Sequence, residues 1–488
     1  MKTLCLKILP NSKKMKKRSL YIISGICILY AGCNIPKVVQ KQENKEMPAQ
    51  YDVPADTTNT ALVKWHDFFT DPYLASLIDT ALKNNQELNI TLQEIEIAKN
   101  EVLAKKGELL PYVGYRAGAG VDKAGRYTSQ GAGDASTEIT PGKKVPDYLG
   151  DFKIGLEADW EADIWHKLHN AKDAEISRYL ATVEGKNFVL TDLIAEIASS
   201  YYELLALDYQ LSIVKQNIGL QQNALAIVKV QKQAARANEL AVQKFEAEVK
   251  GTQSREFEIQ QDIKETENRI NFLLARYPQE IPRVKTDFLT LPLTPVSAGV
   301  PSQLLANRPD IRQAELELAA SKLDVKVARA QFYPSFNISA LVGFDAFNPS
   351  YLVKFPESFI SSLAGDLAGP LINKNALKAQ YLTANARQMQ AVCNYERSIL
   401  NGYIRVANQL SNISNLQKTY EQKVQQVGAL SKSIEISDAL YKAARADYLE
   451  VLMTQRDALE ARLDLADIKK GQLSAVVSMY KELGGGWQ

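Results

Sequence analysis

The chain has 488 residues, length for about three average domains, and carries 58 basic against 56 acidic side chains for a formal charge of +2. So even a balance leaves no clustered basic footprint, and nucleic acid is excluded as a partner. Four cysteines (Cys5, Cys27, Cys33, Cys393) build neither a disulfide framework nor a CxxC pair. Three histidines (His66, His166, His169) read as too few and too ill-spaced for a zinc site. With no nucleophile–base arrangement and no phosphate-binding glycine loop, neither an enzyme nor a cofactor is expected.

In chain order, a basic stretch precedes an apolar run from Leu20 to Gly32, and Cys33 follows. Thirteen residues are too few for a membrane-spanning helix, which needs roughly twenty, but the layout is that of a secretory signal. Ala31-Gly32 before Cys33 resembles the lipobox of bacterial lipoproteins. Residues 1–32 are then a signal and Cys33 an acylated N-terminus; a plain signal peptide cut elsewhere is the other reading. Residues 33–60 are polar and rich in Pro, Gln, Asn and Lys, the composition of a tether.

The rest of the chain repeats itself. "AARANELAV" (Ala234–Val242) returns as "AARADYLEV" (Ala443–Val451) at an offset of 209, with six of nine positions identical. Laying Pro111 on Pro334, an offset of 223, places Leu82 on Leu305, Glu94 on Glu317 and Val102 on Val325. Two duplicated halves are predicted, residues 61–276 and 302–488, joined by a linker over 277–301 with five prolines. The 14 residues by which the offsets differ fall in a polar loop, Gly125 to Pro146. Each half opens with an amphipathic helix, about Leu74–Glu108 and Gln303–Gln331. A strand pair follows (about 111–162 and 334–370), then a long helix and a return helix. No proline interrupts Asp147–Tyr277 or the chain after Pro370. Leu190, Ile194, Ile197, Tyr201, Leu204 and Leu211 keep the spacing of a coiled-coil seam.

In "DFKIGLEADW", Phe152, Ile154, Leu156, Ala158 and Trp160 alternate with Asp151, Lys153, Gly155, Glu157 and Asp159. Phe336 to Phe344 alternates likewise, and "SFISSLAGDLAG" is a weaker strand. A soluble sheet covered on one side gives this pattern; so does an outer-membrane strand of about ten residues with rim aromatics, a role that Trp160, Trp165, Tyr112 and Tyr115 suit. In lipid every strand edge must be paired, and four strands cannot close where about eight is the minimum, so the membrane reading requires more than one copy. If the first long helix ends at the AARA segment it spans some 72 residues, roughly 108 Å at 1.5 Å per residue. The two shorter helices, about 35 and 38 residues, match it end to end. Both copies of the repeated segment then lie at the tip furthest from the membrane, where each half turns back.

From Trp65 to Trp487 the chain resembles the TolC-type outer-membrane factors, and most closely their acylated branch. The resemblance rests on "WHDFFTDPYLASLIDTALKNN", "LEADWEADIW", "ALYKAARADYLEVLMTQRDAL", "YKELGGGW" and above all Leu305 with Arg308-Pro309-Asp310-Ile311 and Phe332-Tyr333-Pro334. It implies a mainly α fold with membrane β-barrel strands: a homotrimer with a twelve-stranded outer-membrane β-barrel, continued by a periplasmic α-helical barrel. It also implies a passive exit duct for small molecules, docking on a periplasmic adaptor and an inner-membrane pump of the RND type. A protein-secretion duct of the same fold and a lipid-anchored coiled coil without a pore are the alternatives. Two places depart from the family's usual pattern: His166 stands where Gly is usual, and Ile372 with Lys374-Asn375 where Phe and paired Gly are usual.

The resemblance further implies a gate at the tip. Glu450 matches a family gate acid, with Asp447 and Arg445 beside it; Arg236, Asn238 and Glu239 are offered by the other turn, and a second gate acid of some relatives appears here as Met453. Ordinary solvated helix ends are the competing reading. Asp310 reads first as the start of a helix, satisfying free backbone amides.

Overall fold

Each half of the chain builds the same series of elements. In the first, α1 (Pro72–Asn84) and α2 (Gln86–Gly107) lead to β1 (Tyr112–Asp122) and β2 (Leu149–Ala162), then to α3 (Lys167–Gln233) and α4 (Glu239–Leu273). In the second, α5 (Pro309–Ala330) leads to β3 (Ser335–Ala346) and β4 (Phe359–Ala368), then to α6 (Asn375–Lys442) and α7 (Tyr448–Glu482). The computed structural model describes residues 35–39, 41–51, 58–285, 287–372, 374–443 and 445–488, so the signal segment and Cys33 lie outside the described residues. The long helices α3 and α6 have 67 and 68 residues, roughly 100 Å each at 1.5 Å per residue. The return helices α4 and α7 have 35 each. Of the seam predicted in α3, Ile194, Ile197, Tyr201 and Leu204 are buried, while Leu190 and Leu211 are half-buried.

The opening helix is not continuous as expected. It breaks at Asn85, whose side chain accepts from the Leu88 amide (3.0 Å) and donates to the Leu273 carbonyl (2.9 Å). A side chain that caps the next helix competes with continuing the first. Arg308, 223 positions on, makes the same break between the short helix Leu304–Asn307 and α5.

Two units make up the chain: residues 98–179 and 317–392 with the segment before Glu43, and residues 43–97, 180–316 and 393–488. The first holds the four strands as one antiparallel sheet in the order β1-β2-β3-β4. The stretch 125–146, expected as a plain polar loop, folds into a short helix (Ser129–Asp134) and a small ladder, Glu138–Thr140 against Lys143–Lys144. Thr128 caps that helix through the Gly131 amide (3.1 Å), and Gly142 turns the ladder at φ +81°, a conformation that glycine takes without steric cost.

In the second unit, Leu74 and Ile78 of α1 pack with Ile197 and Tyr201 of α3, Ile270 of α4 and Val477 of α7. The proline-rich stretch 277–301, which joins the two halves, packs side chains into this core. Ile281 and Phe288 are buried in it, Arg283 bonds Asp208 (2.5 Å) and Glu267 (2.7 Å), and Lys469 Nζ donates to the Leu291 carbonyl (2.6 Å). Proline stops regular structure but leaves its neighbours free to bury side chains. The N-terminal stretch expected as a tether is likewise fastened where it is described. Ile35 and Val38 pack on Phe332 and Tyr381, Lys45 pairs with Glu315 (2.6 Å), and Tyr51 stacks on Tyr403 with ring centroids 5.3 Å apart. The chain end closes onto the second break: Trp487 Nε1 donates to the Asn307 carbonyl (3.1 Å). Gly484, at φ +87°, comes so near that a Cβ would lie 2.4 Å from the Asn307 oxygen.

Candidate functional site: an apolar sheet face and paired helical turns

Register fixes what each face of the sheet carries. Tyr115 lies beside Leu156 and Leu156 beside Val342; Ala117 lies beside Ile154 and Ile154 beside Phe344. Ala340 beside Leu363 continues this apolar face across β4. The opposite face carries Arg116, Lys153, Glu157, Asp159 and Asp345, with ion pairs Arg116–Glu157 (3.4 Å) and Lys153–Asp151 (2.9 Å). Among the described residues nothing covers the apolar side: Tyr115 is 86% exposed, Leu156 54% and Leu363 79%. The sheet also ends in two unpaired edges, β1 of 11 and β4 of 10 residues. In water such edges and such a face would aggregate; in lipid the face is satisfied and only the edges need partners. Among the described residues no helix is long and apolar enough to cross a membrane.

The four aromatics read as a membrane rim are placed differently from one another. Tyr115 and Trp160 share the apolar face, whereas Tyr112 pairs with Asp159 on the polar one. Trp160 Nε1 donates to the Leu109 carbonyl (3.0 Å). Trp165 lies past the strand, stacked on Tyr333 (4.8 Å) and donating to the Pro334 carbonyl (2.7 Å).

The repeated AARA segments are one turn built twice. The Arg236 amide donates to the Gln231 carbonyl and the Arg445 amide to the Leu440 carbonyl, both at 2.8 Å and five residues back. This bond closes a helix whose next-to-last turn residue is left-handed, and Ala235 stands there at φ +55°. Asn238 then caps α4 by accepting from the Ala241 amide (2.9 Å). Asp447, at the matching position of α7, makes no capping bond. The Tyr441 hydroxyl donates to Gln231 Oε1 and ties the two turns together, over a cluster of Val228, Phe245 and Leu452.

Of the six tip residues named from the sequence, Glu239 is paired across its turn with Lys232. The hydrogen bond from Lys232 holds its carboxyl below the usual range. Arg236, Arg445, Asp447 and Glu450 are exposed, and among the described residues none of them forms an ion pair. The pairing of Lys232 seven residues before Glu239 carried a signal that the sequence reading missed.

The spacing argument against the histidines does not hold for two of them. Asp163, His166 and His169 bring their ligand atoms within 4.8 Å of one another at the β2–α3 joint. There Asp163 accepts from the Leu168 and His169 amides, and His166 turns at φ +56° just ahead of α3. His66 lies apart, exposed beside Asp79 (3.6 Å).

A family model of outer membrane efflux proteins matches residues 77–276 and 300–485. The chain belongs to the outer membrane efflux protein family. The pyoverdine export outer membrane protein OpmQ of Pseudomonas aeruginosa is 27% identical over 97% of this chain and 98% of its own. The probable outer membrane lipoprotein SilC of Salmonella typhimurium is 25% identical over 97% of this chain and 100% of its own. A crystal structure of CusC, from work on its folding and transmembrane channel formation, matches with a TM-score of 0.80 at 25% identity, covering 93% of this chain and 100% of that one. This efflux protein is therefore an outer-membrane channel. Its strands contribute to a β-barrel and its long helices to the helical barrel of the fold. The soluble-sheet reading of the alternating strands falls with that.

Proposed function

We propose that three copies of this efflux protein pool their strands into one twelve-stranded barrel and pass small molecules outward from a periplasmic adaptor and an RND-type pump. The two unpaired edges carry this reading. Edges of 11 and 10 residues on one sheet match each other in length, so β1 of one copy can pair with β4 of the next until the ring closes. Light scattering on the detergent-extracted particle, with the detergent contribution removed, is expected to give three chains. A stable single chain would sink the duct, since four strands cannot close.

The two turns are the adaptor-facing tip and its gate in this reading. Among the described residues the Asp447 and Glu450 carboxylates form no ion pair, and threefold symmetry would set six of them around one axis. Crowded acids there repel each other and select cations. In planar bilayers, Asp447→Asn with Glu450→Gln is expected to lower the cation-over-anion permeability ratio several-fold; an unchanged ratio would mean the acids are merely solvated helix ends. A diacylated Cys33 would hold the same chain to the membrane, as the lipoprotein name of SilC suggests for that relative. Relatives named for pyoverdine and for cations share this fold, which supports assigning substrate choice to the pump.

A further inference from the structure

The joint between β2 and α3 holds a cluster that conduction of solutes does not use. The Asp163 carboxylate is 7% exposed and already anchored, accepting from the amides of Leu168 (3.0 Å) and His169 (2.8 Å). His169 Nδ1 lies 2.7 Å from Asp163 Oδ2, while its ring is half open to solvent. His166 stands against these two at φ +56°, a left-handed conformation that is strained for a residue with a Cβ and free for glycine. Its ring centroid is 5.7 Å from that of His169. Lys167, the nearest cation in sequence, is turned away to Glu161 (2.6 Å). Two of the three histidines of the chain thus converge on one fixed carboxylate, with their remaining sides open.

We propose that Asp163, His166 and His169 form a binding site for a borderline divalent transition metal such as Zn²⁺. Two imidazoles and a carboxylate are the donors this class prefers, and the open sides leave at least one position for water. Tetrahedral ligands about 2.0–2.2 Å from an ion sit roughly 3.3–3.6 Å apart, so the 2.7 Å Asp163–His169 contact must open by under about 1 Å, within reach of side-chain rotation, to admit one. Without metal a proton bridges that contact, since two acceptors cannot face each other so closely; the ion takes the proton's place. The bound ion would pin the last residues of β2 to the first turn of α3.

The test uses untagged full-length protein in detergent, stripped with chelator and titrated with zinc sulfate by calorimetry. One ion per chain is expected to bind saturably, with Kd in the low micromolar range. His166→Gly keeps the left-handed turn at no cost, and Asp163→Asn keeps a capping oxygen. Each is expected to raise Kd at least about tenfold, although their metal-free melting temperatures should move in opposite directions. His166→Gly should melt higher as the left-handed strain is relieved, and Asp163→Asn lower as one capping oxygen is lost; His169→Gln is a second ligand variant for the same readout. Cobalt(II) should show tetrahedral visible absorption that His166→Gly removes. Absence of saturable uptake, or a His166→Gly protein that binds zinc as tightly as the parent, would overturn the site.

Discussion

Replacing Arg308 by alanine is expected to destabilise the protein by about 3–5 kcal/mol, the range for stripping one partner from a buried ion pair. Arg308 is 3% exposed. Its guanidinium donates to Asp310 through Nε (3.0 Å) and Nη2 (2.7 Å), and through Nη1 to the carbonyl (2.6 Å) and carboxylate (2.8 Å) of Glu482. Truncation would leave the mostly buried Glu482 with only the more exposed Arg405 at 3.5 Å, and a screened partner compensates little. Arg308→Lys should recover only a minor part, because an ammonium cannot reproduce the planar fork. Adding Glu482→Gln to Arg308→Ala should recover more, since it removes the orphaned charge, and the cycle would be non-additive. The check is denaturant unfolding of the detergent-extracted protein; a cost below about 1 kcal/mol for Arg308→Ala would show the network to be idle.

That network explains why two distant runs of sequence stand out. "ANRPDI" and "YKELGGGW" are parts of one junction, where Arg308 and Asn307 receive the chain end. Nothing in either run alone announces the other; only the fold brings residues 308 and 482 together. Asp310 was legible as a first-turn acid, and it does accept from the Ile311 amide (3.0 Å), but its larger partner is the arginine.

What the sequence made plain was whatever repeats with a fixed period. Alternation from Phe152 to Trp160 gave the face of β2, and the 3–4 spacing of Ile194, Ile197, Tyr201 and Leu204 gave the buried side of α3. The offset of 209 placed both turns, though their gate chemistry stays a proposal. Features without a period were hidden. Asn85 breaks a helix through one capping bond, and the short helix at Ser129 sits in a stretch too polar to show amphipathicity. Ile281 and Phe288 sit among prolines, and the convergence of Asp163, His166 and His169 depends on where α3 begins. At the tip, composition could not tell Glu239, tied to Lys232, from Glu450, which is not.

Leu156→Arg is expected to abolish insertion of the protein into the outer membrane. Leu156 lies in the middle of β2, between Tyr115 and Val342 on the apolar face, and 54% of it is exposed. An arginine near the bilayer midplane of a barrel costs about 2–4 kcal/mol. A ring of several copies multiplies that cost, which then rivals the 5–15 kcal/mol that holds a typical protein folded. The informative control is Ser339→Arg, one strand over and pointing the other way, where Asp159 is its cross-strand neighbour. On that side the new cation meets water and an opposite charge, so the protein should insert normally and show only altered conductance. Outer-membrane fractionation followed by gel migration without heating reads out both variants at once. Equal loss for both would mean that the sheet tolerates charge on neither face, and equal insertion that Leu156 does not meet lipid. Loss for Leu156→Arg alone ties the alternation in the sequence to the side on which the bilayer lies.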